Sequence, residues 1–376
     1  YNNYYSPAEY SKKTVYYWSP YLTNVATIKA VINSAISLKK FSKKYDPVII
    51  NSCGEFNIHK KKLENNEIKV FNLLSFNVHK FLPSKGFFLS RFSFIIIFII
   101  TFFPFINFIK SRNPDYLIIH LITSLPIVIS NLIKSNTKYI LRISGLPKYN
   151  LLRKFLWKKL GRKIYRITCP TEGTLKDLRL SKLFDQNKLI LLKDPIIIIN
   201  EITKKKKEQI DVNLKERDFN IVAAGRLTKQ KNFKLIIEAF NQILKIKKNS
   251  KLIIIGEGEE KLFLEDLIDK KNLSNNIKLL GFKKNIFKYL SKSNLFILSS
   301  LWEDPGWVLI EAAISDTLIL SSDCKNGPLE FIENDKGGIL FKSNSSNDLV
   351  EKFNEINNLD KKQILSKKLF AKKKAD

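Results

Sequence analysis

Methionine is absent from the chain, position 1 included. Because the chain also stops abruptly in Lys372-Lys373-Lys374-Ala375-Asp376, a few residues are expected to be missing at each end. Cysteine is nearly as scarce. Cys53, Cys169 and Cys324 are odd in number, widely spaced and match no zinc or redox pattern, so a disulfide scaffold is excluded. Reduced, cytosolic thiols follow as the expectation. No Asp-x-Asp or His/Asp metal cluster stands out, and the only histidines are His59, His79 and His120. No fixed period runs through the chain, which excludes collagen-like, coiled-coil and repeat architectures. No basic stretch followed by an apolar run opens it, so no signal peptide is expected. Negative charge is thin: 35 Asp and Glu stand against 65 Lys and Arg, a net charge of +30.

What is present is ordinary globular material. Apolar residues make up 44% of 376 positions, with 27 Phe and 13 Tyr, enough to bury a sizeable core and to exclude disorder of the whole chain. The length predicts two domains. The basic excess points to an anionic partner: nucleic acid, an acidic membrane surface or a phosphorylated ligand. Part of it is discounted, because the excess is almost all Lys in a chain also rich in Asn and Ile, as an AT-rich coding bias produces. Arg, the better reader of phosphates and bases, is scarce.

Residues 1–12 have no period and are expected to be loose. A strand is predicted at Thr14–Trp18, then a break at Pro20, a cap at Thr23-Asn24 and a helix over Ala26–Lys40. Strands follow at Val48–Asn51, Ile68–Leu73, Tyr116–His120, Tyr139–Ile143, Ile164–Cys169 and Leu189–Leu192, with a basic helix at Leu151–Leu160. Residues 200–218 are highly charged and read as a solvated linker. A second alternating series then runs from a strand at Asn220–Ala224 and a helix at Phe233–Ile246 to a helix at Ser346–Ile356. The fold class is therefore α/β: two Rossmann-like, doubly wound domains facing a central cleft, over residues 1–199 and 219–376.

Chemistry concentrates in the second domain. Its first strand leads into Gly225-Arg226 and on to Lys231, two cations at a strand's carboxyl end that suit a diphosphate. A solvated basic loop is the competing reading. Near the far end lies Glu303-Asp304-Pro305-Gly306-Trp307-Val308, with Glu311 further on. Pro305-Gly306 starts a helix, and the backbone N–H groups of Gly306, Trp307 and Val308 suit an anion. Glu303 and Glu311 suit hydroxyls of a sugar and a ribose.

Taken together, Gly225-Arg226-x(4)-Lys231 and Glu303-x(7)-Glu311 resemble the C-terminal domain of retaining GT-B glycosyltransferases of the family 4 type. Gly256-Glu257-Gly258-Glu259, Gly281-Phe282 and Asp323 to Glu330 are similar to the same family. The resemblance is strong over residues 219–345. It is weaker over 13–195, where Trp18-Ser19-Pro20, the Leu121–Pro126 and Leu141–Pro147 segments and Pro170-Thr171-Glu172 look like a bacterial surface-polysaccharide or lipopolysaccharide branch. It implies a transferase moving a hexosyl-type sugar from a nucleotide-sugar, with retention and without a metal or other cofactor. Arg226 and Lys231 would bind the diphosphate, Glu311 the ribose and Glu303 the sugar hydroxyls. Gly225, Gly306, Trp307 and Val308 would approach the phosphates, and Gly256, Gly281 and Phe282 the nucleoside. His120, at a strand end, is either near the reacting sugar or structural. Arg142 either faces the cleft or makes an ion pair, and Asp194 is read as structural. The family often carries a Gly-Gly loop where this chain has Thr23, Asn24 and Thr27, which leaves contacts from that loop open. Family members end in a helix crossing back to the first domain, and this chain is expected to stop where that helix begins.

The stretch 87–109 is the most hydrophobic, and Phe92–Ile109 carries no charge. A single membrane span would put strands of one sheet on opposite sides of the bilayer. A buried helix, a helix lying in the membrane interface and a shallow re-entrant hairpin remain. Basic flanks at Arg91, Lys110 and Arg112 favour attachment to the cytosolic face of an anionic membrane, hence a cytoplasmic, peripheral protein acting on a glycan or lipid-linked acceptor. Pro104 weakens a straight helix there. Two alternatives compete: a sugar-nucleotide 2-epimerase of the same fold, which needs more cleft carboxylates and histidines, and a basic RNA-binding protein, for which no stacking motif is visible. Nucleic acid is not the expected partner.

Overall fold

The computed structural model describes residues 11–22, 26–83, 87–120, 125–145, 151–212 and 214–375. The expectations for residues 1–10, Thr23, Asn24, Leu121–Ser124 and Leu146-Pro147 lie outside them. The chain forms two compact units, one ending at Ile196 and the next beginning at Ile197; residues 171–173 group with the second.

In the first unit, in chain order, are β1 (Lys13–Trp18), α1 (Ala26–Phe41), β2 (Tyr45–Asn51), α2 (Lys60–Glu64), β3 (Lys69–Asn72) and α3 (Phe87–Arg112). Then come β4 (Tyr116–His120), α4 (Leu125–Leu132), β5 (Lys138–Arg142), α5 (Leu151–Leu160), β6 (Arg166–Cys169), α6 (Glu172–Ser181) and β7 (Leu189–Leu191). All seven strands are parallel, in the order β3-β2-β1-β4-β5-β6-β7. Apolar clusters cover both faces, one around Trp18, Ile119 and Leu141, the other around Tyr17, Ile28 and Ile49. Burial on both faces is why the strands read as apolar runs rather than alternating ones.

The second unit contains α7 (Ile199–Lys206), β8 (Phe219–Ala224), α8 (Phe233–Ile246), β9 (Ser250–Ile255), α9 (Lys261–Lys270), β10 (Ile277–Leu279) and α10 (Phe287–Leu290). It continues with β11 (Leu295–Leu298), α11 (Trp307–Ile314), β12 (Leu318–Ser322), α12 (Gly327–Ile332), β13 (Ile339–Phe341), α13 (Ser346–Asn357) and α14 (Lys361–Ala375). Its six parallel strands run β10-β9-β8-β11-β12-β13. Helix α8 buries Phe233, Ile236, Ile237, Phe240 and Ile243, a helical stripe laid on the sheet.

Two expectations change, at the linker and at the apolar stretch, and a helix forms at Lys361–Ala375 for which the sequence predicts no element. Residues 199–206 are not an irregular solvated linker but helix α7. Ile202 is buried with Phe287 and Ile314, and that contact sets the helix despite its three consecutive lysines. Residues 361–375 form α14, which packs beside α11 and β12 of the second unit. The apolar stretch is one continuous helix, α3, with Pro104 inside it, so no re-entrant hairpin forms. Burial of Phe105, Phe108 and Ile109 on the sheet outweighs the hydrogen bond that Pro104 cannot donate.

Strand order reverses between β1 and β4 and again between β8 and β11. Connections leave such neighbours in opposite directions, and the carboxyl ends there are left open for ligands. His120 ends β4 at the first such point; Gly225 and Ser299 follow β8 and β11 at the second.

Candidate functional site

In the second unit the loops after β8 and β11 are tied together. The Leu301 N–H donates to the Gln230 carbonyl at 2.8 Å, the Gln230 side-chain amide to the Trp302 carbonyl at 2.8 Å, and Ser299 Oγ to the Lys231 carbonyl at 2.8 Å. This lacing aims Lys231 across the end of the sheet, its aliphatic carbons lying over Gly225. Lys231 Nζ makes an ion pair with Glu303 Oε1, and Ser300 Oγ donates to the same oxygen. Glu303 is only 6% exposed. A carboxylate so enclosed needs its cation, and the cation in turn is held in one place. Arg226 is exposed and makes no ion pair with a described residue.

Three glycines form a row across the strand ends. The Gly225 N–H donates to the Ile255 carbonyl at 3.0 Å, and the Gly256 N–H to the Gly281 carbonyl at 2.9 Å. At Gly256 a Cβ would sit 1.8 Å from the Gly225 carbonyl oxygen. Only glycine fits that approach, and it keeps the strand ends bare of side chains. Phe282, beside the row, is exposed and offers an open ring face. Gly306, with φ +79°, is the residue before α11 and turns the chain so that Trp307 and Val308 begin the helix. Their N–H groups belong to the unsatisfied first turn, the positive end of the helix dipole. Trp307 Nε1 is buried without a partner among the described residues. Glu311 lies one turn into α11 and is half-buried. Among the described residues, no three His, Cys, Asp or Glu side chains gather in a metal-binding group.

Eleven of the twelve candidate residues thus belong to the second unit. The twelfth, His120, ends β4 in the first unit and is 3% exposed, and its Nδ1 has no partner among the described residues. Burial, reinforced by the nearby Arg142 guanidinium, lowers its pKa to about 3, so the imidazole is neutral at physiological pH. Arg142 stands opposite His120 in the β4–β5 register. Its Nε donates to Asp194 Oδ1 at 3.0 Å, and both side chains are buried. Among the described residues, Asp194 Oδ2, Arg142 Nη1 and Ser19 Oγ have no partner. Burial pushes the Asp194 carboxyl up, against the pull of Arg142.

Sequence reasoning missed a second polar knot, at the end of β2. Glu55, fully buried, accepts from the Ser52 N–H at 3.0 Å and the Cys53 N–H at 2.7 Å, while Tyr21 OH donates to its backbone carbonyl at 2.5 Å. Burial and Glu55 push the Cys53 thiol well above its usual range, leaving it unreactive. The available signal was Asn51-Ser52-Cys53-Gly54-Glu55 directly after a strand.

Residues 204–369 match the family model of glycosyl transferases group 1. An uncharacterised glycosyltransferase of Methanocaldococcus jannaschii is 32% identical over 243 residues, 60% of this chain and 60% of the relative. The N-acetylgalactosamine-N,N'-diacetylbacillosaminyl-diphospho-undecaprenol 4-alpha-N-acetylgalactosaminyltransferase of Campylobacter jejuni is 33% identical over 202 residues, 54% of this chain and 53% of the relative. The chain thus spans a little more than half the length of these relatives. The crystal structure of a Rickettsia africae glycosyltransferase matches with a TM-score of 0.71 at 18% identity, covering 97% of this chain and 94% of that one. Anabaena HepE in complex with UDP matches with a TM-score of 0.69 at 14% identity, again covering 97% and 94%. The fold is GT-B, the two-domain α/β fold of glycosyltransferases.

Proposed function

We propose that this GT-B chain is a metal-independent, retaining glycosyltransferase that moves a hexosyl-type sugar from a nucleotide-sugar to a glycan or lipid-linked acceptor in cell-surface polysaccharide synthesis. The observation that carries the reading is the enclosed Lys231–Glu303 pair at the β8/β11 switch point, beside the bare glycine row. The match of residues 204–369 to glycosyl transferases group 1 supports it. So do the UDP held by HepE and the diphospho-undecaprenol acceptor in the name of the Campylobacter relative.

In this reading Arg226 and Lys231 bind the donor diphosphate, helped by the N–H groups at the start of α11. Glu311 accepts from the ribose hydroxyls. Glu303 accepts from hydroxyls of the sugar and holds Lys231 at the leaving oxygen. The sugar–diphosphate C–O bond breaks, a bond from the acceptor oxygen to the same carbon forms on the same face, and the acceptor proton passes to the departing diphosphate. Charge grows on the leaving oxygen, and preorganised cations and a helix dipole stabilise it there. His120, neutral at the end of β4 in the first unit, can donate or accept a hydrogen bond without changing charge.

The test is a thermal-shift panel of UDP, GDP, ADP, dTDP and CMP, with and without chelator. One nucleotide at a hundred times its dissociation constant adds about 2.7 kcal/mol of stability. That stabilisation survives chelator and disappears in Lys231→Ala and Glu311→Ala. No response to any nucleotide, with stabilisation by RNA instead, overturns the reading. The anomeric configuration of the product, read by NMR, tests retention.

A further inference from the structure

Helix α3 has two faces that are both apolar. One packs on the first unit's sheet: Phe105 meets Trp18 with ring centroids 4.8 Å apart, and Phe108 meets Tyr16 at 4.9 Å. Ile97 and Thr101 continue that buried line at four-residue steps. The opposite face carries Leu89, Phe92, Ile95, Ile99 and Phe103, each between 54% and 72% exposed. Only a third of the helix's apolar window is buried. A helix on a water-facing surface normally turns polar residues outward; one that is apolar all round meets a second apolar medium.

The charge around it is one-sided. From Ile68 to Thr171 there are seventeen Lys and Arg and one acid, Asp115. That acid already accepts from the Thr14 N–H at 2.8 Å. A coding bias toward Lys does not remove acids from one segment, so the block is a property of this part of the fold. The segment carries α3, α4 and α5, which neighbour one another in that order. Exposed apolar side chains continue on the two neighbours, at Leu132 on α4 and at Leu151 and Phe155 on α5. Lys154, Lys158 and Lys159 share α5 with them.

We infer that α3 lies flat in the headgroup region of an anionic bilayer, with its exposed stripe in the acyl boundary and the surrounding cations against lipid phosphates. Apolar area and positive charge act together in such attachment. A polyanion such as RNA engages the cations but gains nothing from five exposed apolar side chains. A transmembrane orientation is excluded by the sheet. β1 precedes α3 and β4 follows it, yet the two strands pair directly, Val15 with Tyr116 through Trp18 with Ile119. An apolar hollow of about 220 Å³ lies between α3 and the end of β1, lined by Trp18, Phe94, Phe98 and Leu125. Ile95 borders both the hollow and the stripe, so lipid chains at the stripe adjoin the end of β1.

Co-sedimentation of the full chain with vesicles tests this. Vesicles of phosphatidylcholine mixed with phosphatidylglycerol bind it, vesicles of phosphatidylcholine alone bind it far more weakly, and added salt weakens the first. The variant Phe92→Ser/Ile99→Ser/Phe103→Ser changes only exposed positions, keeps the wild-type melting temperature and loses about tenfold or more in vesicle affinity. A second variant needs no loss of function: Ile99→Trp fluorescence is quenched by brominated lipid in the bound protein. Failure of the wild type to bind anionic vesicles, undiminished binding by the triple variant, or an unquenched Ile99→Trp each overturn the inference. Tight RNA binding without vesicle binding does so too. No donor or acceptor enters these measurements, so their failure leaves the proposed transfer reaction standing.

Discussion

Lys231 and Glu303 lie 72 residues apart in the chain and share one enclosed ion pair. Removing only the cation leaves a buried, unpaired carboxylate, so Lys231→Ala costs about 3 kcal/mol of stability in urea unfolding. Under the proposed function it also lowers kcat/KM by about two orders of magnitude. The double variant Lys231→Met/Glu303→Leu separates the two effects, because it regains most of the stability and none of the activity. His120 makes a different prediction. Its folded pKa of about 3 lies below the unfolded value near 6.5. Above pH 6.5 both states hold it neutral, and it contributes no pH dependence. As pH falls from 6.5 towards 3 the unfolded state gains a proton that the native state refuses, and stability drops by up to about 1.4 kcal/mol per pH unit. His120→Gln, followed by urea midpoints across that window, flattens the slope by about one proton.

At the scale of elements, the close approach at Gly256 predicts a sharp contrast. A methyl group there collides with the Gly225 backbone, whereas one at Gly145 meets no described residue within 4 Å. Gly256→Ala is expected to lose about 2 kcal/mol or more and to displace the loop that carries Lys231; Gly145→Ala is near neutral. Helix α3 gives a similar contrast. Phe105→Ala opens a core cavity costing about 3–5 kcal/mol, while Phe103→Ala, on the exposed face, leaves the melting temperature almost unchanged. Elements with strong apolar runs or stripes were legible in the sequence. β4, α5 and α8 have the bounds that their residues predict. α14 was not legible, because only Ala371 of its fifteen residues is buried and its pattern has no stripe. α7 was hidden by its lysines, since one buried isoleucine is too weak a signal to outvote them. For the site, residue types and their positions at strand ends were legible. The pairing of Lys231 with Glu303 was not, because it depends on strand order, which no local pattern encodes. Arg142 and Asp194 illustrate the same limit: each was noticed singly, and their contact, 52 residues apart, needed the fold.

For the molecule as a whole, each unit has its own sheet with a core on both faces. Calorimetry is therefore expected to resolve two unfolding transitions, and a bound nucleotide to raise the one that belongs to the second unit. A single transition shifted as one would show that the units melt together. The sheets themselves have a further consequence. Their four outermost strands, β3, β7, β10 and β13, are three or four residues long, while β1, β2, β8 and β9 nearer the middle run to six or seven. A rim that brief gives another chain little backbone on which to add a strand, and so protects against edge-to-edge aggregation. That protection matters for a polypeptide that is crowded at high concentration while carrying so much uncovered phenylalanine and isoleucine. When such a protein does self-associate, the contact is expected to form through helix faces and to dissolve in mild detergent, rather than to grow into fibres.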